Sequence, residues 1–229
     1  MAVAVRGLSP VAHLPVVLGL LRKLKVASLI DEMIPPHCDN VMSCGTGVEA
    51  LVLAILDGDH ALYKVGSRLE ERGMLPLLQA GLERESLNDY RLGLILEALF
   101  AANLTRVFGA LALKALEVYS IETPWLHHDT TTLSLYGAYE ASEAGGEPAA
   151  PESETPIVPR PAYGHSKDRR PDLKQGVLSL GVSGEGGLPL RMGIRDGNTS
   201  DSTEMPVAIA ACLALGRAGM VGIVADSNA

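Results

Sequence analysis

The sequence predicts an α+β protein, with an all-helical N-terminal domain followed by an incomplete mixed α/β sheet. Three observations predict it. Apolar residues recur with helical spacing through the first half, short strand-like runs bounded by Gly and Pro replace them after residue 122, and 47% hydrophobic content in 229 residues supplies a packed core. Aromatics are only 4%, so Leu, Val, Ile and Ala must build that core.

The first domain is expected over 1–121. Helices are expected over 11–34, 48–56 and 62–79, with Pro35-Pro36 and Asp57-Gly58 as breaks. Leu92, Ile95, Leu96 and Leu99 fall at i, i+3, i+4 and i+7, and Leu104, Val107, Phe108 and Leu111 repeat the pattern, with Asn88 as an N-cap. The second domain, 122–229, opens with a strand over 125–136. Strands over 173–183 and 188–196 follow, joined by a Gly184-Glu185-Gly186-Gly187 turn. A helix capped by Asp201 or Ser202 runs to residue 215, and a last strand carries Asp226.

The net charge of −8 argues against a protein that coats DNA over its whole surface, but the charge is unevenly distributed. Glu140 to Thr155 holds five glutamates and no basic residue among Ala, Gly, Pro and Ser, which marks a disordered loop at about 140–160. From Arg160 to Arg195 seven Lys or Arg stand against three acids. A phosphate-facing surface fits there; a solvated loop of mixed charge is the plainer reading. Cys38, Cys44 and Cys212 make an odd count without metal-ligand spacing, as expected of reduced thiols in a cytoplasmic protein. No uncharged apolar run reaches the ~18 residues that span a membrane, so no membrane partner is expected.

Asp129 and Asp226 each stand at the tip of an apolar run, an arrangement that suits a divalent cation preferring oxygen ligands. A lone Asp at a strand end is more commonly a turn or cap residue. His127 and His128 invite a zinc site with Asp129, yet neighbours on a strand point to opposite faces, so one faces the core and the other lies near the acid. A G-x-S-x-G elbow and a phosphate loop are both absent, and no cysteine has a defined base.

In chain order, Asp129-Thr130-Thr131-Thr132, Gly164-His165-Ser166-Lys167-Asp168 with Arg170-Pro171-Asp172-Leu173-Lys174-Gln175, Asp196-Gly197-Asn198-Thr199-Ser200-Asp201, and Ala225-Asp226-Ser227 form a set. Together they resemble bacterial insertion-sequence transposases of the DDE class, in the insertion-sequence-four superfamily. The resemblance covers essentially the whole chain, since that group also has a helical N-terminal domain. It implies a ribonuclease-H-like core with Asp129 on the first strand and Asp226 on the fourth, both catalytic and both holding Mg²⁺ or Mn²⁺. It further implies insertion-sequence ends in DNA as the substrate, metal-dependent cleavage and strand transfer, and a homo-oligomer in full-length members. Lys167, Arg169, Arg170 and Lys174 are then expected on DNA phosphates.

The family's third acid, a Glu in a Tyr/Arg/Glu/Lys motif well beyond the fourth strand, has no counterpart before Ala229. The expectation is therefore a truncated transposase, inactive by itself. The alternative is a non-catalytic fragment of a decayed or frameshifted element that at most binds DNA or a full-length partner.

Overall fold

The computed structural model describes residues 11–35, 41–58, 61–137, 139, 158–164, 170–200, 206 and 222–225. It is an α+β chain of two compact units, Met1–Val107 and Phe108–Ala229. The change from helices to strands falls later than that division, between Tyr119 and Trp125.

The first unit contains α1 (Leu14–Lys23), α2 (Val26–Met33), α3 (Cys44–Leu56), α4 (Val65–Glu71), α5 (Leu75–Leu78) and α6 (Asp89–Ala101). The stretch expected to be helical over 11–34 is two helices, because Lys25 takes a left-handed conformation (φ 55°) between them. Likewise Gly73 (φ 65°) separates α4 from α5 inside the 62–79 stretch. Helix α3 begins four residues before the expected position because Ser43 caps it, its Oγ accepting from the Thr46 N–H at 3.1 Å. Gly45, in that first turn, is a packing residue. A Cβ there would stand 2.2 Å from the Ala27 carbonyl oxygen, so only Gly lets α3 approach α2 so closely. Asn88 caps α6 as expected, accepting from the Arg91 N–H at 2.9 Å.

Helix α3 lies at the centre of this unit, with Ala50, Leu53 and Ala54 fully buried against Leu14, Leu69 and Leu92. Glu49, on the same helix, is buried as well. Its burial raises the carboxyl pKa, an effect opposed by Arg22 and reinforced by Asp31. Burial, with Asp31 nearby, pushes the Cys44 thiol up to about 11, which keeps it protonated and unreactive at neutral pH.

The second unit begins within α7 (Leu104–Tyr119) and adds β1 (Trp125–Leu135), β2 (Lys174–Ser183), β3 (Pro189–Arg195) and β4 (Gly222–Ala225). The sheet order is β3-β2-β1-β4. Strands β1, β2 and β3 form an antiparallel meander, and β4 joins β1 in parallel. Ala112 and Leu116 of α7 pack against Leu126, Leu190 and Ile223 on one sheet face. The β2–β3 turn uses Gly186 (φ 72°) and Gly187 (φ 61°), a conformation that favours glycine. Residues 140–157 of the expected disordered loop, and all but residue 206 of the expected helix from 201 to 215, lie outside the described residues. Among the described residues no single helix is long and apolar enough to cross a membrane.

Asp57 ends α3, with its side chain only 3% exposed. Its Oδ2 accepts from Arg68 Nε at 2.6 Å and Arg72 Nε at 3.1 Å, and Arg72 Nη2 lies 2.9 Å from Oδ1. Burial alone would raise the Asp57 pKa; the hydrogen bonds and charges of Arg72 and Arg68 outweigh it and hold the carboxyl below its ordinary value of 3.8. The stability gained is therefore present above that value and disappears as pH falls through the lower folded-state value. Asp57→Asn is expected to destabilise the first unit by about 1–3 kcal/mol at pH 7, with the difference closing as pH falls below about 4. Denaturant unfolding across pH 7 to 2.5 checks it, and a deficit independent of pH would contradict it.

Candidate functional site

Burial alternates along the first half of β1. Leu126, His128 and Thr130 are buried, while Trp125, His127, Asp129 and Thr131 are exposed. Of the two histidines, His128 is thus the core-facing one, and His127 shares the solvent face with Asp129. Strand β2 sets Leu180 opposite Asp129 and Val182 opposite His127, and β4 sets Val224 opposite His127 and Ala225 opposite His128. These strands enclose an open pocket of about 420 Å³ lined by His127, His128, Asp129, Leu180, Val182, Val224 and Ala225. Asp129 Oδ1 accepts from the Thr130 N–H at 2.7 Å, which orients the carboxylate within its own strand.

Asp226 follows Ala225 directly in the chain and lies outside the described residues, as do Lys167 and Arg169. Among the described residues no three His, Cys, Asp or Glu side chains converge as a metal site.

Behind the pocket, on the buried face, Ser179 joins two long polar side chains. His128 Nε2 lies 3.0 Å from Ser179 Oγ, and Arg191 Nη1 donates to the same oxygen at 2.6 Å. All three residues are buried. Sequence reasoning passed over Ser179 and Arg191. The available signal was the Ser179-x-Gly181-x-Ser183 alternation, which places small polar residues on one face of β2.

Of the expected phosphate contacts, Arg170 and Lys174 are described. Arg170 forms a two-pronged pair with Asp172, Nε to Oδ1 at 2.8 Å and Nη2 to Oδ2 at 2.7 Å, and its guanidinium lies 5.9 Å from the Tyr136 ring centre. The hydrogen bond from Arg170 lowers the Asp172 pKa, and the bond to Asp172 raises that of Arg170. Lys174 Nζ donates to the Tyr139 carbonyl oxygen. Lys174 pairs with Leu135 and Leu180 with Asp129, so at ~3.4 Å per residue Lys174 stands about 20 Å along the sheet from Asp129.

The Asp196 turn, closed by Thr199 N–H to Asp196 O at 3.0 Å, lies against the same end of β2 through a hydrogen bond from Gln175 Nε2 to Gly197 O at 2.8 Å. The strand directions bring the C-terminal end of β1, the start of β2 and the end of β3 to one end of the sheet, whereas β4 ends opposite His128, near the start of β1.

Residues 7–113 match the family described as a domain of unknown function (DUF4277). No curated protein and no solved structure matches the chain.

Removing the Ser179 hydroxyl leaves buried hydrogen-bonding groups of Arg191 and His128 without that partner. Ser179→Ala is expected to lower the stability of the second unit by about 1–3 kcal/mol. Thermal unfolding checks it, and a loss below 0.5 kcal/mol would show the hydroxyl to be dispensable.

Proposed function

We propose that the chain is part of a DDE-class transposase that acts on the DNA ends of an insertion sequence, with Asp129 and Asp226 as the acids that hold Mg²⁺ or Mn²⁺. The observation that carries this reading is the parallel pairing of β4 with β1, which sets Ala225 opposite His128. Asp226 is the next residue after Ala225, and Asp129 the next after His128. Consecutive Cα atoms are about 3.8 Å apart, so each acid is one residue step from the paired His128 and Ala225. The strand order supports the same reading, since it sets the fourth strand beside the first, the two strands on which the resemblance places the acids.

The donor chemistry fits the ion. Asp129 offers carboxylate oxygen at the wall of an open pocket, and Mg²⁺ typically uses one or two carboxylates with water and substrate phosphate oxygens. Such an ion, when bound, stabilises the attacking and leaving oxygens of a phosphodiester displacement. The chain's own part is to fix Asp129 through its Thr130 hydrogen bond and to wall the pocket with Leu180, Val182 and Val224.

Lys174 and Arg170 serve a different part of the DNA. A separation of about 20 Å corresponds to roughly six base pairs of duplex, so these cations contact flanking phosphates rather than the one being cleaved. Lys167 and Arg169 belong to the same proposed contact.

Asp129→Asn is expected to weaken Mn²⁺ binding at least about tenfold by electron paramagnetic resonance and, in a version extended to carry the family's Glu motif, to abolish Mn²⁺-dependent nicking of DNA carrying the element's ends. Mn²⁺ binding that is indifferent to the substitution would overturn the metal assignment. DNA binding by the extended version without any nicking would leave the non-catalytic alternative.

A further inference from the structure

Three segments far apart in sequence lock together around one buried side chain. Gln175 is 2% exposed. Its Nε2 donates to Gly197 O at 2.8 Å, while its backbone exchanges two hydrogen bonds with Ala162, at 3.1 and 2.9 Å. The Gly197 N–H donates to Arg160 O at 3.1 Å, and the Arg160 N–H donates to Asp196 Oδ1 at 2.8 Å.

Two glycines make the closure possible. A Cβ on Gly164 would lie 2.2 Å from Gly197 O and 2.6 Å from Gln175 Nε2, and one on Gly197 would lie 2.0 Å from Gln175 O. The amide is specific too, because only its NH₂ group can serve the Gly197 carbonyl.

We infer that Gln175 is a positioning residue: it ties the 158–164 segment and the Asp196 turn to the start of β2, and so gathers Arg160, Arg170 and Lys174 into one contact for the backbone phosphates of a nucleic-acid duplex. The inference rests on the DNA reading above. The three cations come from two separate pieces of chain, and each piece would lose ordering entropy on binding if it were not already held. The acids at this edge hold structure in place as well. Asp172 grips the Arg170 guanidinium, and Asp196 accepts from the Arg160 backbone.

The test uses the full chain, a random-sequence DNA duplex and a salt series read by fluorescence anisotropy. Hydrogen exchange at the amides of Arg160, Ala162 and Gly197 reports the clamp, and the β1–β2 amides report the sheet. Gln175→Met and Gly164→Ala are each expected to lose protection at those three amides and keep it in β1–β2. Their DNA affinity should fall about tenfold, with the salt slope reduced by about two. Variants that open the clamp yet keep wild-type affinity and slope would overturn the inference.

Arg160→Gln covers the case in which both clamp variants fail to fold. It should reduce the slope by about one in the wild type. An unchanged wild-type slope also overturns the inference. Absence of DNA binding by the wild type at any salt overturns instead the reading on which it rests.

Discussion

The pairing of β1 on both of its edges is the constraint on which the second unit depends. Antiparallel β2 on one side and parallel β4 on the other fix its register, and its alternation assigns each side chain to a face. A slip of one residue would turn Asp129 inward and His128 outward. It would bury a carboxylate and separate His128 from Ser179, so two costs oppose the same error. The contact that holds His128 therefore also keeps Asp129 at the pocket.

This arrangement separates the packed face from the open pocket. One face of the sheet carries α7 and the Ser179 contacts, while the other carries the pocket with Asp129 and His127. The cations lie farther along, at the edge where β2 starts, and there the polar interactions are of another kind. Arg170 is already paired with Asp172, so any anion approaching it would have to compete with a carboxylate.

The helical unit depends on close backbone approach and one ion-pair cluster. Gly45 lets α3 lie against α2, and Asp57 joins the end of α3 to the α4 arginine Arg68 and to Arg72 just after it. The break at Asp57-Gly58 and the Asn88 cap were legible in the sequence because each is a local event decided within a few residues. The early start of α3 was not. Its first turn contains Gly45 and Gly47, and a glycine's value in packing appears only when its neighbour is in place.

In the second unit, the period of two along Trp125 to Thr131 was readable, and with it the opposition of His128 to both His127 and Asp129. Which face is buried was not. On β2, Leu178, Leu180 and Val182 look like the core positions, yet Gln175, Ser179 and Ser183 are the residues at 2%, 0% and 1% exposure. Gln175 closes a charged run at the start of the expected strand over 173–183, and nothing near it in sequence announces Gly197. By itself the sequence determined the helix-to-strand order, the caps and breaks, and the alternation that isolates Asp129 from its neighbour, because those follow from chemistry within a few bonds. Only the tertiary structure decided which side of each strand is inside and which distant segments meet at Gln175, because burial and strand pairing are made between residues tens of positions apart.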